Sequence, residues 1–255
     1  MANFTPWKKY MLLLVDEMIA EHNLTGPFLD VGCGNGDVAL YFAQKGWHGM
    51  AIDPSSTAIQ QARLTLAQYT NLVTVGQQNL STINQTFNTI FAFDVIEHID
   101  NDREFIRAIR GKIDHKGALI ISVPIKPKEW RWDDNFYGHV RRYELNELFK
   151  ILREAQLEVV ESWDCTFPFF WLMRRVYTKL FPKKYLAHED KTNLTMQSAS
   201  QSAWDQSLVI NYIVEHVIWW RPLFFIQHLF RKSTYGCERL LLIKLSTRAS
   251  SEVAS

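Results

Sequence analysis

An α/β fold is what these 255 residues predict: a doubly wound, mostly parallel seven-stranded sheet with a helical cap inserted between the last two strands. Two observations lead there. Short apolar runs alternate with amphipathic stretches through the first two-thirds of the chain, the rhythm of parallel strands joined by crossover helices. The first apolar run, in PFLDVGCGNG at 27–36, then drives straight into three glycines, the tight strand-to-helix turn of such sheets.

The elements follow in order. Residues 7–21 are amphipathic, with Trp7, Tyr10, Met11, Leu14 and Met18 on one helical face. Pro27–Val31 reads as a buried strand, and Asp37–Gln44 as a helix leaving the glycine loop and stopping at Gly46. His48–Ile52 is a second strand ending at Asp53, after which Ser55, Ser56 and Thr57 offer N-caps for a helix to about residue 68. Val73–Val75, Thr89–Phe93 and Ala118–Val123 continue the strands, with a helix at Asp102–Arg110. A helix over Glu144–Glu154 leads to a sixth strand, Leu157–Trp163, and RLLLIKL at 239–245 is the seventh. About seventy aromatic-rich residues separate those two strands, broken by a polar stretch at 196–207.

Composition sets bounds. A chain with 47% hydrophobic residues can bury a full core, and a net charge of +1 speaks against DNA or RNA as the main partner. Cys33, Cys165 and Cys237 form neither a CxxC pair nor a disulfide framework, so a reduced, cytoplasmic setting is expected. The apolar run MLLLV near the start is too short for a signal peptide.

Glycine spacing narrows the ligand. Gly32, Gly34 and Gly36 give G-x-G-x-G, whereas the dinucleotide fingerprint needs G-x-G-x-x-G and a P-loop ends in Gly-Lys-Ser/Thr. A ligand presenting no phosphate at this loop is expected. LDVGCGNG resembles the first motif of the class I S-adenosylmethionine-dependent methyltransferases, and the likeness runs over roughly residues 25–163. It implies a Rossmann-like fold with S-adenosylmethionine as cofactor. Asp30 would help fix the cofactor's ammonium, Gly32, Cys33, Gly34 and Gly36 would let backbone approach its methionine part, and Asp53 would accept from both ribose hydroxyls. Where many relatives place an Asp after the third strand, this chain has Asn79, whose amide oxygen can accept from the adenine amine. Asp94, after the fourth strand, completes the expected cofactor contacts. Domains are expected at 1–164 (cofactor-binding core), 165–235 (cap), 236–246 (last strand) and 247–255 (frayed tail).

Methyl transfer needs an aligned acceptor and often a base, placed at the carboxyl ends of the strands. The fourth strand ends FAFDVIEHID, and offsets of three and four bring Glu97 and His98 near Asp94 if the segment turns helically. The fifth is followed by Trp132, Asp133, Asp134, His139, Arg141, Arg142 and Tyr143. Two readings compete. In one, His98 or His139 is a general base, with Glu97 beside it. In the other, Asp94, Glu97, His98 and His139 hold Mg²⁺, Mn²⁺ or Zn²⁺. The metal reading gains from a similarity to ubiquinone-pathway O-methyltransferases and small-RNA 2′-O-methyltransferases, which carry E-x-x-E-H and a later His; D-x-x-E-H here departs at Asp94. A plainer alternative has Glu97 and His98 merely capping a helix. Arg141 or Arg142, with Trp132 and Tyr143 nearby, would hold a carboxylate or phosphate on the substrate.

The insert mixes Phe, Trp and Tyr with Arg174, Arg175, Lys179, Lys183 and Lys184, and 208–232 is strongly apolar but interrupted by Glu215, His216, Arg221 and Pro222. That suits a lid over a greasy substrate or a peripheral contact with an anionic membrane rather than a membrane span, or else an ordinary helical core. The expectation is O-methylation of an apolar or lipid-linked small molecule. RNA 2′-O-methylation and a catalytically silent cofactor-binding scaffold are the rivals.

Overall fold

The computed structural model describes residues 5–180 and 217–247, and elements are numbered within them. Lys183, Lys184, the polar stretch at 196–207, Glu215, His216 and the tail from 248 lie outside the described residues. The strands are β1 (Phe28–Val31), β2 (Gly49–Asp53), β3 (Val73–Gln77), β4 (Phe87–Phe93), β5 (Ile113–Pro124), β6 (Leu157–Asp164) and β7 (Glu238–Leu245). They form one sheet in the order β3-β2-β1-β4-β5-β7-β6. β1 to β5 pair in parallel, and β7 runs antiparallel between β5 and β6. The expected doubly wound sheet is present with all seven strands. Because β7 is reversed, its first residue, Glu238, sits opposite Pro124 at the same edge as the carboxyl ends of the other strands.

Both faces of the sheet are covered, and side chains alternate between two buried clusters as strand geometry requires. Phe91, Ala118, Ile120, Leu240 and Leu242 face one cluster, while Ile90, Ala92, Leu119, Ile121, Leu241 and Ile243 face the other. The first face is covered by α1 (Pro6–His22), α2 (Asp37–Gln44) and α3 (Ser56–Thr65), the second by α4 (Asp102–Arg110) and α6 (Leu145–Glu154). Thr5 caps α1 by accepting from the Lys8 amide, Pro6 opens it, and Tyr10, Met11, Leu14 and Met18 bury the expected face. Ser55 caps α3 and Asn101 caps α4. A six-residue helix, α5 (Trp132–Tyr137), appears where no apolar periodicity announces one.

Two helices of the insert are described, α7 (Phe169–Leu180) and α8 (Val217–Leu229). They lie against α1: the Tyr10 ring meets Phe170 at 6.1 Å and Phe224 at 5.5 Å, and Phe170, Trp220 and Phe224 belong to the same buried cluster as α1. Part of the insert's aromatic content is therefore core of the main domain. Among the described residues, no helix is long and apolar enough to cross a membrane. All three cysteines are buried and unpaired.

One carboxylate gathers both roots of the insert. Asp164, 1% exposed, accepts from the backbone amides of Thr166 (2.9 Å) and Phe167 (3.0 Å) on the way out, and from Ser233 Oγ (2.9 Å) and the Gly236 amide (2.6 Å) on the return. A Cβ on Gly236 would collide with that carboxylate. Gln227, also buried, accepts from the Phe169 amide and donates to the Cys165 carbonyl. Since each buried donor left unpaired costs about 1–3 kcal/mol, Asp164→Ala is expected to lose several kcal/mol in denaturant titration. Gly236→Ala should also lose stability by steric collision. An unchanged midpoint in both variants would contradict this.

Candidate active site

The edge formed by the strand ends holds two groups of side chains. The first surrounds the β1–α2 turn, where Gly32, Gly34 and Gly36 all take positive φ (69°, 55° and 82°). A Cβ at Gly32 would press the Val95 side chain at 2.7 Å, and one at Gly36 would meet Ala62 at 3.1 Å. At Gly34 a Cβ would meet nothing within 4 Å. Two of the glycines thus also clear space for the chain's own atoms at Val95 and Ala62, and of the three Gly34 borders open space. The Gly34 amide donates to Asp53 Oδ2 at 3.1 Å, and the Ser55 amide donates to Asp53 Oδ1 at 2.8 Å. Burial raises the Asp53 pKa while those two amides act against the rise.

Asp30 is 2% exposed, and its Oδ2 has no hydrogen-bond partner. Burial pushes its pKa up to about 7, against the pull of Lys8 and the Ala39 amide. An orphaned buried acceptor beside an open turn fits a ligand that brings a cationic group. Cys33, in the same turn, is held as a thiol because burial pushes its pKa up. Asn79 is exposed at the end of β3, where its carbonyl accepts from Thr82 Oγ1 at 2.8 Å.

The second group lies after β4. Asp94 has φ 54°, and a 3₁₀ turn covers only Ile96–His98, so Asp94 does not share a helical face with Glu97 and His98. Its carboxylate accepts from Ser122 Oγ at 2.8 Å. Glu97 is fully buried with neither oxygen hydrogen-bonded. Burial, reinforced by Asp94, pushes its pKa well above the usual range, and the Arg142 guanidinium offsets this only in part. His98 Nδ1 lies 3.3 Å from the Gly138 carbonyl, and burial together with His139 pushes its pKa down to about 4. His139 Nδ1 bonds Asp134 Oδ1 at 2.9 Å, and its Nε2 stands 3.8 Å from Glu97 Oε1. Glu97, His98 and His139 each offer one ligand atom within 4.8 Å of the others; Asp94 is not in that group. Helix capping does not explain Glu97 and His98, because Asn101 caps α4.

A Glu97 oxygen and His139 Nε2 at 3.8 Å are too far apart for a hydrogen bond, yet a cation with bonds of about 2.0–2.2 Å to oxygen and imidazole nitrogen can span them. The donor set, one carboxylate and two imidazoles, therefore fits a divalent metal. Glu238 joins this edge from β7. Burial together with the nearby Asp94 carboxylate pushes its pKa well above the usual range. Sequence reasoning did not find Glu238; the available signal was that a reversed last strand puts its first residue at this edge.

The residues expected to hold substrate spend their polar groups inside the chain. Arg142 is 8% exposed and donates to Asp134 Oδ1 (2.7 Å) and to the carbonyls of Ile125 and Cys237. Arg141 donates to Asp102 and the Asp100 carbonyl, Tyr143 donates to Asp102, and Trp132 Nε1 donates to the Thr178 carbonyl.

Residues 5–162 match the family model described as a methyltransferase domain. The chain belongs to that family and is a class I S-adenosylmethionine-dependent methyltransferase. It is 25% identical over 148 residues to the ubiquinone biosynthesis O-methyltransferase of Rickettsia felis, a match covering 52% of this chain and 61% of that protein. It is 28% identical over 103 residues to the mitochondrial ubiquinone biosynthesis O-methyltransferase of Schizosaccharomyces pombe, covering 37% and 36%. The chain thus spans about three-fifths of the length of the Rickettsia relative. A crystal structure of an S-adenosylmethionine-dependent methyltransferase from Clostridium acetobutylicum matches 94% of this chain and 91% of its own, with TM-score 0.57 at 15% identity. That of magnesium protoporphyrin IX methyltransferase from Synechocystis with bound S-adenosylhomocysteine matches 61% and 74%, with TM-score 0.52 at 20% identity. At these identities the two structures show the shared fold.

Asp30 yields a pH prediction. The ammonium of S-adenosylmethionine favours the ionised carboxyl, so binding should expel the proton that burial leaves on Asp30. Cofactor affinity should then fall as pH drops below about 7, by up to about tenfold per unit. Calorimetry on either side of that pKa should show the slope, and Asp30→Asn should bind weakly with a flat profile. A wild-type profile flat through neutral pH would contradict this.

Proposed function

We propose that this methyltransferase transfers its methyl to an oxygen of a largely apolar or lipid-linked small molecule. The transfer takes place at an edge where Glu97, His98 and His139 hold a divalent cation. The observation that carries the site is Glu97: a fully buried carboxyl with both oxygens unpartnered, facing two imidazoles. When bound, such a cation lowers the pKa of a coordinated hydroxyl and so favours its nucleophilic form. Within this reading Gly34 leaves room for the cofactor, Asp30 receives its ammonium and Asp53 its ribose hydroxyls. His139 presents Nε2 toward Glu97 because Asp134 occupies Nδ1. His98 serves less well as a general base, because a pKa near 4 lies far from neutral pH. O-methylation is supported by the names of the curated relatives.

The acceptor's apolar character draws on the insert. α7 exposes Leu172, Val176 and Leu180 at four-residue spacing, and α8 exposes Phe225, Ile226 and Leu229. Exposed apolar area costs roughly 25 cal/mol per Å², and a bilayer surface would cover these side chains while delivering a lipid-linked acceptor. The cationic half of the membrane reading is weaker: Arg174 pairs with Asp133 and Asp134, and Arg175 with Glu129. Liposome flotation should therefore show weak, reversible binding that salt reduces only modestly, and no binding to any vesicle would contradict the membrane contact.

The function is tested with isotopically labelled S-adenosylmethionine and a series of hydroxylated aromatic compounds of increasing alkyl length. Transfer should rise with tail length, stop with chelator and return with one divalent ion. Methylation of polar RNA but none of the series would favour the RNA reading instead. Full activity in chelator would remove the cation and leave His139 as base, in which case His139→Ala should cost about 10²–10⁴-fold in rate.

A further inference from the structure

Asp134 accepts four hydrogen bonds at this edge, and nothing in its sequence context sets it apart from Asp133. Its side chain has no exposed surface. Oδ1 receives His139 Nδ1 at 2.9 Å and Arg142 Nε at 2.7 Å; Oδ2 receives the Arg131 amide at 2.7 Å and Arg174 Nη2 at 2.8 Å. Burial opposes its charge, yet the bond from His139 and the guanidinium groups of Arg142 and Arg174 hold its pKa well below the usual range. Three of these donors come from the segment around the site. The fourth, Arg174, comes from α7, the first helix of the insert.

Other contacts fasten α7 to α5 at the same place. Arg174 also donates to both Asp133 oxygens, at 2.6 and 2.7 Å, and to the Glu129 carbonyl at 3.1 Å. Trp132 Nε1 reaches the Thr178 carbonyl at 3.1 Å, and the Trp132 ring packs on Tyr177. α5 then ends at Gly138, immediately before His139, whose amide donates to the Asp134 carbonyl at 2.9 Å.

We propose that Asp134 is a positioning residue through which the docking of cap helix α7, by Arg174, fixes the orientation of the His139 imidazole. The proposal rests on the reading of His139 as a site group. Charge-assisted hydrogen bonds to a buried carboxylate are strong and directional. With Arg174 in place, Asp134 is held from both sides and presents Oδ1 squarely to Nδ1. That bond leaves Nε2 as the nitrogen facing Glu97. With Arg174 withdrawn, Oδ2 keeps only the Arg131 amide while Arg142 still holds Oδ1, so the carboxylate is less firmly fixed and the Oδ1–Nδ1 bond that selects the imidazole's tautomer is weakened.

The test is imidazole ¹⁵N spectroscopy of the full chain in chelator at mildly alkaline pH, with His139 assigned by His139→Gln. Wild type should show one dominant tautomer, protonated at Nδ1. Arg174→Gln should give a mixture of the two tautomers with unchanged S-adenosylhomocysteine affinity, and Arg174→Lys should restore part of the Nδ1-protonated population. Arg175→Gln, which removes a guanidinium paired with Glu129 rather than Asp134, should leave the spectrum as in wild type. Asp134→Asn should abolish the preference if the variant folds; Arg174→Gln decides the matter if it does not. A His139 spectrum indifferent to Arg174→Gln, or equally disturbed by Arg175→Gln, would overturn the proposal. Loss of His139 without effect on methyl transfer would instead overturn the reading of the site and leave the coupling standing.

Discussion

A buried carboxyl must find partners or give up its charge, and that constraint sorts the acidic side chains at the strand ends into two kinds. Asp164 and Asp134 are surrounded by donors and act as fasteners, one for the roots of the insert and one for the segment around His139. Asp30 and Glu97 are as deeply buried, yet Asp30 leaves one oxygen and Glu97 both oxygens without a partner. Burial raises the pKa of both. A fold tolerates such groups where a ligand completes them. The two incomplete carboxyls border the glycine turn and the histidine pair, so the chain's own electrostatics outline where a cationic cofactor and a cation would fit.

The two fasteners give the incomplete groups their geometry. Asp164 fixes where the chain leaves and re-enters the sheet, which places α7 and α8 on α1. α7 then delivers Arg174 to Asp134, and Asp134 sets the face that His139 turns to Glu97. The insert is therefore less a separate cap than an extension of the core that reaches the reactive edge by one ion-paired network. This is also why Arg174 and Arg175 do not form a rim of unpaired cations: carboxylates from the β5–α6 segment hold them.

Most of the fold was legible in the sequence because periodicity and caps report local physics. Ser55 caps α3 as expected, and the alternation in β4, β5 and β7 divides cleanly between the two clusters. The glycine turn was legible as a turn, though the packing demands on Gly32 and Gly36 were not, because Val95 and Ala62 approach from other elements. Glu97, His98 and His139 were legible as a group, while Asp94 was misplaced with them because a positive φ leaves no trace in residue spacing. α5 was missed because six residues held by tertiary contacts carry no apolar period, and with it the difference between Asp133 and the fully buried Asp134. Arg141 and Arg142 looked like substrate binders because sequence places them at the edge; only packing shows that Asp102 and Asp134 hold them.

The most direct test of this account is a crystal structure of the chain with S-adenosylhomocysteine. The ligand's ammonium should lie within hydrogen-bonding distance of Asp30 Oδ2 and its ribose hydroxyls should bond Asp53. Its sulfur should face the Glu97–His98–His139 group. A ligand seated away from Asp30 and Asp53, or with its sulfur turned from that group, would contradict the account.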